Sequence, residues 1–459
     1  MTLSERLQAA RPTDIGVAGP TPVDMARAFR SVRADPLTFL GRVQQEYGDL
    51  VAFPVPGPPA LLVNDPADVR HVLQTSARSW GKQTVQYAAL GRVTGPGLLA
   101  SAEPTWIENR RLAAPAFHHQ RLEAVSDQVR AAADAAIGAR LGGPATGAVD
   151  VAALTHRIGL DAVGRALFST DLSGHAQRLL DATSEAADIV VRLGRSVLPT
   201  AAWAPTRTNL RLRTTRRRLD AISADLIAQR RDRGRSEHGT YGDDLLGLLL
   251  ESGLTDAEIR DELVTMVIAG HETVAAAMAW TLMLLAEDQP AQERVRRELA
   301  AHPGPVSLLG HRDTLPFTRA VVDEALRLYP PAWVVSRRSL GEDVVGGRAV
   351  PAGTLAIVSP WLVHRRADAW PDPLAFRPER FLGLSGPPPA YLPFGQGPRL
   401  CIGREFALGE MVIVLARLLT AYRLDVPAGW TRPEPEARVA VHPRGGMPLV
   451  VTALDQARM

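Results

Sequence analysis

The chain has 459 residues, 46% of them hydrophobic and 22% charged, with a formal net charge of +3. That is the balance of a folded globular protein; it permits an acidic partner and does not require nucleic acid. One cysteine excludes an intrachain disulfide and a zinc knuckle, and fits a soluble protein of the reducing cytoplasm.

In chain order, residues 1 to about 22 hold no apolar run of signal-peptide or anchor length and are expected to form a flexible N-terminal segment. LVAFPVPGPPALLVND (50–65) reads as two short strands around a Pro/Gly turn. From Asp65 to about Ala300 the chain is rich in Ala, Leu and Arg and is expected to be helical. The arginine run from Thr206 to Asp220 has no aromatic interleaving and is read as a solvated helix face rather than a nucleic-acid surface. Thr255 and Glu258 form a capping box that opens a helix of about thirty residues, roughly 45 Å long, ending shortly before Pro290. Its stretch from Leu263 to Ala286 is long enough to span a bilayer, but Gly270, His271, Glu272 and Thr273 interrupt the middle, which favours a buried core helix. VVGGRAVPAGTLAIVS (344–359) and ARVAVHPRGGMPLVVTAL (437–454) read as hairpins turning at glycines. The Pro/Gly-dense stretch between them, 370–398, is expected to be an ordered meander. The fold class is mainly α with a small β-rich part, in a single domain over 1–459.

The lone cysteine stands in PFGQGPRLCIGREFALGE, between a glycine-rich turn and an apolar helix. A nucleophilic thiol lacks a local histidine, and a phosphatase loop would need arginine where Ala407 stands. Taken alone, the residue reads as a buried inert thiol. Its context points elsewhere. A helix start favours a thiolate, Gly395, Gly397 and Gly403 let backbone approach a flat ligand, and Arg399 offers a cation to an anionic group on it. A thiolate of this kind suits an axial haem ligand.

Phe394-Gly-Gln-Gly397-Pro-Arg399-Leu-Cys401-Ile-Gly403 matches, at every defined position, the signature of the cytochrome P450 superfamily of haem-thiolate monooxygenases. The chain resembles that family over nearly its whole length. Glu324-Ala-Leu-Arg327 resembles the family's Glu-x-x-Arg pair, FRPERF (376–381) its meander, Ala269-Gly270-His271-Glu272-Thr273 its oxygen-activation motif, and Trp106-x-x-x-Arg110 its Trp/Arg helix motif. The resemblance implies a cytochrome P450 fold with a long central helix over haem b, and Cys401 as the iron ligand. It implies propionate contacts from Trp106, Arg110, Arg399 and Arg338, the last chosen by its spacing to Asp343, with Arg337 as the competing register. Phe394, Gly395 and Gly403 would complete the haem loop. Arg380 would join Glu324 and Arg327 in a buried structural network. Ala269 and Gly270 would make room for dioxygen, with Thr273 and Glu272 delivering protons and His271 facing away. Because Glu272 and Thr273 are both present, a dioxygen-using monooxygenase is preferred to a peroxide-driven one.

Only 58 residues follow Cys401, too few for a fused reductase, so the resemblance implies electrons from NAD(P)H through a separate ferredoxin and ferredoxin reductase. Arg110, Arg111 and Arg404 are candidate contacts for such an acidic partner. Gln86, Tyr87, Met266, Val274, Trp333, Val334 and Val335 are the expected pocket lining, suited to a large hydrophobic substrate. KQTVQYAALGRVTGPGLL (82–99), AGHETVAAAMAW and LRLYPPAWVVSRR resemble bacterial hydroxylases of carotenoid β-ionone rings. Monooxygenation of a fatty acid or terpenoid is the alternative, and a non-catalytic haem-thiolate sensor is the alternative of another class. SVLPTAAWAP (196–205) gives at most a peripheral membrane contact.

Overall fold

The computed structural model describes residues 14–55, 57–142, 148–170, 176–194, 201, 203–235, 239–302 and 304–454. They form two compact units, each assembled from separated stretches. The first takes the described residues up to Ala89 with those of Ala332–Ala375 and Ser385–Cys401; the second takes those of Leu90–Pro331 and Phe376–Leu384 and those from Ile402 onward.

The first unit is organised on a five-stranded sheet. Leu50–Phe53 pairs antiparallel with Ala60–Val63, which runs parallel to Leu355–Val358; Val335–Ser339 and then Trp80–Gly81 complete it. Ala60–Val63 is buried at every position, as a strand covered on both faces must be. One cover is the Pro36–Tyr47 helix, which packs Phe39, Leu40 and Val43 against Val51, Phe53 and Leu62. The capping box that opens the preceding Pro22–Ala34 helix uses Thr21 and Asp24. Just before it, Ala52 N–H donates to Ala18 O at 3.0 Å, and a β-carbon on Gly19 would fall 1.9 Å from the Ala52 oxygen. The chain is therefore held from residue 18 onward, which corrects the expected flexible segment reaching 22; residues 1–13 lie outside the described residues. The hairpin expected over 344–359 is also shorter than read: Asp343–Val345 pairs with Arg348–Val350 around Gly346 and Gly347, while Leu355–Val358 leaves it for the five-stranded sheet.

The second unit is helical and built round the Asp256–Glu287 helix, 32 residues long, opened by Thr255 and Glu258 as a capping box. This helix is apolar enough to cross a membrane, yet 83% of its most apolar window is buried inside the protein. The Val151–Phe168 helix lies along it at a close crossing. A β-carbon on Gly159 would stand 3.1 Å from His271 O, and one on Gly270 would stand 2.9 Å from Val163 Cγ2. A three-stranded sheet runs Ala148–Asp150, Pro448–Ala453, Tyr422–Asp425. The hairpin expected over 437–454 is not formed. Val441–Pro443 turns back onto Pro435–Ala437, and Pro448–Ala453 pairs with the other two strands instead. Asp150 fixes that choice by accepting Met447 N–H at 2.9 Å. Of 196–205, residues 196–200 and 202 lie outside the described residues; Trp203 is 80% exposed.

Candidate active site

The cysteine loop of the first unit is held by its own backbone. Cys401 N–H donates to Phe394 O at 3.0 Å, Leu400 N–H to Gly397 O at 3.0 Å, and Gly395 N–H to Leu392 O at 3.1 Å. Gly395 and Gly397 take φ of +73° and +71°, a region glycine enters at no steric cost, and a β-carbon on Gly397 would fall 2.1 Å from Leu73 O. The buried His364 anchors the start of the loop by accepting Leu392 N–H at 2.9 Å. Phe394 and Arg399 are half-buried and Cys401 is exposed. Gly403, in the second unit, differs from the other two. At φ −89°, with an added β-carbon 3.5 Å from Phe117, it has no conformational need to be glycine.

Beside the sheet of the same unit lies a buried polar cluster. Arg337 is 6% exposed and donates to Tyr87 Oη at 3.2 Å and to Ser336 O at 2.9 Å. Lys82, 7% exposed, stands 4.6 Å over the Tyr87 ring. Ser336 Oγ donates to Gln86 Oε1 at 2.7 Å, and Gln86 Nε2 donates to Val334 O at 3.3 Å. A buried guanidinium held by neutral oxygens calls for an anion, and haem, a dianionic porphyrin at its propionates, has one to offer. Arg338 is placed otherwise. Its Nε donates to Gln83 O at 2.7 Å and its Nη1 to Gly353 O at 2.9 Å. The two arginines thus differ in burial and in face: neighbouring residues of a strand point to opposite sides, and the spacing to Asp343 crosses a loop that does not fix the face. Asp343 itself accepts from Trp80 Nε1 at 2.7 Å and His71 Nε2 at 3.0 Å. Tyr87 and Gln86 are thus tied to Arg337 and Ser336, and the half-buried Trp333 packs against the Phe39–Leu62 cluster. Val334 and Val335 are half-buried.

In the second unit, Glu324 and Arg327 are fully buried on the Pro316–Leu328 helix. Arg327 Nε and Nη2 donate to the two Glu324 oxygens at 2.6 and 2.8 Å, and Glu324 Oε1 also accepts Arg377 N–H at 2.9 Å and Arg380 Nε at 3.3 Å. Trp106 is 8% exposed on the Thr105–Ala113 helix, with the Arg110 guanidinium 5.7 Å from its ring. Arg404 bonds Glu405 at 2.8 Å, and Arg312 pairs with the same carboxylate.

Along the long helix, Ile259–Ile268 and His271–Ala286 are nearly all buried, but Ala269, Gly270 and Thr273 are only half-buried. These three, spaced i, i+1 and i+4, leave one accessible patch in the middle of an otherwise enclosed helix, which fits a group stationed there. Met266 and Val274 are buried beside it, at 6% and 5% exposure. The helix is unbroken at Gly270. The missing β-carbon admits Val163, which gives glycine a packing reason at this position. Thr273 Oγ1 donates to Ala269 O at 2.8 Å, while Glu272 Oε1 faces His442 Nε2 at 3.1 Å. The acid and the alcohol therefore do not bond each other. His271 is buried with Nδ1 on Val267 O at 2.8 Å, and burial pushes its pKa down.

Lys82 and His442 escaped the sequence reading. Lys82 had a signal: it is the only lysine in a chain that otherwise uses arginine for every cation. His442 had none, being 170 residues from Glu272.

The cytochrome P450 family model matches residues 19–450. A Streptomyces melanosporofaciens protein named cyclooctat-9-en-7-ol 5-monooxygenase is 32% identical over 439 residues, covering 92% of this chain and 92% of its own length. Protein LUTEIN DEFICIENT 5, chloroplastic, of Arabidopsis thaliana is 31% identical over 435 residues, 85% of this chain and 70% of its own. The crystal structure of CYP175A1 from Thermus thermophilus superposes with a TM-score of 0.77 at 31% identity, covering 95% of this chain and all of that one. With the family pattern running through nearly all of the sequence and the fold shared over 95% of it, the chain belongs to the cytochrome P450 family and is a haem b monooxygenase.

Proposed function

We propose that this monooxygenase hydroxylates the β-ionone ring of a carotenoid, drawing electrons from NAD(P)H through a separate ferredoxin and its reductase in the cytoplasm. The observation that carries the substrate class is the relative named for lutein, a carotenoid, matched over 85% of the chain. The apolar flank of the long helix at Met266 and Val274 agrees with a hydrocarbon substrate. The relative named for cyclooctat-9-en-7-ol supports a second reading, oxidation of a cyclic hydrocarbon alcohol.

On this reading Cys401 ligates the haem iron, and Arg399, Arg110, Trp106, Arg337 and Lys82 hold the propionates. When bound, haem b supplies the binding and reductive activation of dioxygen, favoured by an electron-rich thiolate ligand. The chain supplies position and protons. Thr273 has spent its O–H on Ala269 O, so in this arrangement its hydroxyl accepts a hydrogen bond; to donate, it must rotate off that carbonyl. Glu272 brings the proton that Thr273 passes on, acting as a general acid. Glu324, Arg327 and Arg380 do no chemistry; they fix the backbone at Arg377.

The test uses purified holoenzyme. Carotenoids with β-ionone rings, cyclooctat-9-en-7-ol and fatty acids are titrated while the haem spin state is followed, and products are analysed with a surrogate ferredoxin system. A ring-hydroxylated carotenoid is the expected product. Turnover of the other compounds with none of carotenoid would overturn the substrate assignment, and a reduced CO spectrum typical of histidine-ligated haem would overturn the ligand assignment.

A further inference from the structure

Glu272 is 5% exposed, and its Oε2 has no hydrogen-bond partner among protein atoms. Its Oε1 meets His442 Nε2 at 3.1 Å, from the Val441–Pro443 strand. His442 is the more exposed of the two side chains, 12% against 7%. Behind it lies His156 of the Val151–Phe168 helix, whose ring stacks on His442 at 5.4 Å and 16° and meets His271 edge-on at 5.7 Å. Arg438, after the Pro435–Ala437 strand, bears on His156 and is itself paired with Asp188 and Glu436, at 3.2 Å each. The charged and titratable groups facing the contact are therefore Glu272 and His271 from the long helix, His156 from its neighbour, Arg438 and Glu436 from the hairpin, and Asp188 from the Ala176–Gly194 helix.

We propose that His442 is the proton feed of Glu272: it takes protons from solvent and passes them to the buried carboxylate, with His156 as the stacking support that keeps its ring in line. The inference rests on the reading that Glu272 serves dioxygen activation. The step balances as proton transfer alone. The Nε2–H bond of protonated His442 breaks as an Oε1–H bond forms on Glu272; the neutral ring then regains a proton from water. Rotation of the carboxyl carries the proton to the side of Oε2, the oxygen that no protein group holds. Among the three histidines the geometry selects His442, the one in contact with both the carboxylate and solvent. His156 is suited to support rather than transfer, since burial, with His271, His442 and Arg438 around it, pushes its pKa down to about 3. A neutral ring stacks against an imidazolium without repulsion.

The experiment compares wild type, His442→Asn, His442→Lys and Glu272→Gln as holoenzymes with the best substrate found. His442→Asn keeps a donor toward Glu272 but carries no proton. It is expected to form roughly tenfold less product per NAD(P)H consumed and to show a larger solvent deuterium effect. The CO spectrum and the substrate-induced spin shift should stay as in wild type, and His442→Lys should recover part of the coupling. A second readout needs no turnover or His442 variant. In the diamagnetic ferrous–CO enzyme, nitrogen-15 labelling should reveal a hydrogen-bonded His442 imidazole N–H that disappears in Glu272→Ala. Wild-type coupling and isotope effect in His442→Asn, alongside a defect in Glu272→Gln, would sink the feed and leave the parent reading standing. Normal coupling in Glu272→Gln would sink the parent reading. A defect in His442→Asn without a larger isotope effect or lysine rescue would reduce His442 to a packing residue.

Discussion

At the scale of single residues, charge and burial decide what each arginine does. Arg327 and Glu324 are both at 0% exposure, so removing one leaves the other charged, buried and unmatched. Arg327→Ala is expected to lose about 3–5 kcal/mol of stability, read by chemical denaturation, and to give little thiolate–CO absorbance. Two neighbouring arginines make a sharper comparison. Arg337 is 6% exposed, with Tyr87 Oη and Ser336 O as partners, whereas Arg338 is half-buried on two backbone carbonyls. Arg337→Ala should therefore speed haem transfer to apomyoglobin several-fold more than Arg338→Ala; equal rates would return the propionate role to Arg338. The Glu324–Arg327 pair could be read from a short pattern because its spacing is local. Arg337 and Arg338 could not be separated that way, since both stand in one strand, and only the face each occupies tells them apart.

At the scale of elements, the long helix is governed by what lies against it. Gly270→Ala puts a β-carbon 2.9 Å from Val163 Cγ2, an overpacking expected to cost about 1–3 kcal/mol. Val163→Ala should restore much of that loss in the double variant, a coupling that a thermal-melt double-mutant cycle measures. Near its start, Glu262 accepts Leu98 N–H at 3.2 Å and Asn109 Nδ2 at 2.6 Å. Burial, opposed by the Leu98 N–H, pushes this carboxyl from 4.5 up to about 7. Its folded-state pKa lies above the unfolded one, so its contribution is full below about 4.5 and is lost as pH rises through about 7. Wild type should lose up to about 3 kcal/mol across that window, and Glu262→Gln should flatten the loss; identical denaturation profiles would refute the assignment. The capping box of this helix was legible because it spans four residues. The carboxylate's partners were not, because they lie 164 and 153 positions away.

At the scale of the whole molecule, a net charge of +3 permits an acidic electron donor, but paired cations contribute little to steering it. Arg404 already bonds Glu405, whereas Arg111 is exposed on the Thr105–Ala113 helix. Arg111→Glu should slow ferredoxin-driven reduction severalfold at low ionic strength and less at high salt, with unchanged haem content; Arg404→Ala should do less. Stopped-flow reduction decides between them. The sequence by itself determined the family chemistry, because the cysteine loop, Glu-x-x-Arg pair, meander and acid–alcohol pair are each written within ten residues or fewer. It also determined the helical bulk and the long helix, through composition and a local cap. Tertiary structure alone decided which strands pair across 437–454, which arginine of two is buried, why Gly270 is glycine, and that Glu272 faces His442. Each of those depends on a partner far away in the chain, and the identity of such a partner leaves no periodic or local mark.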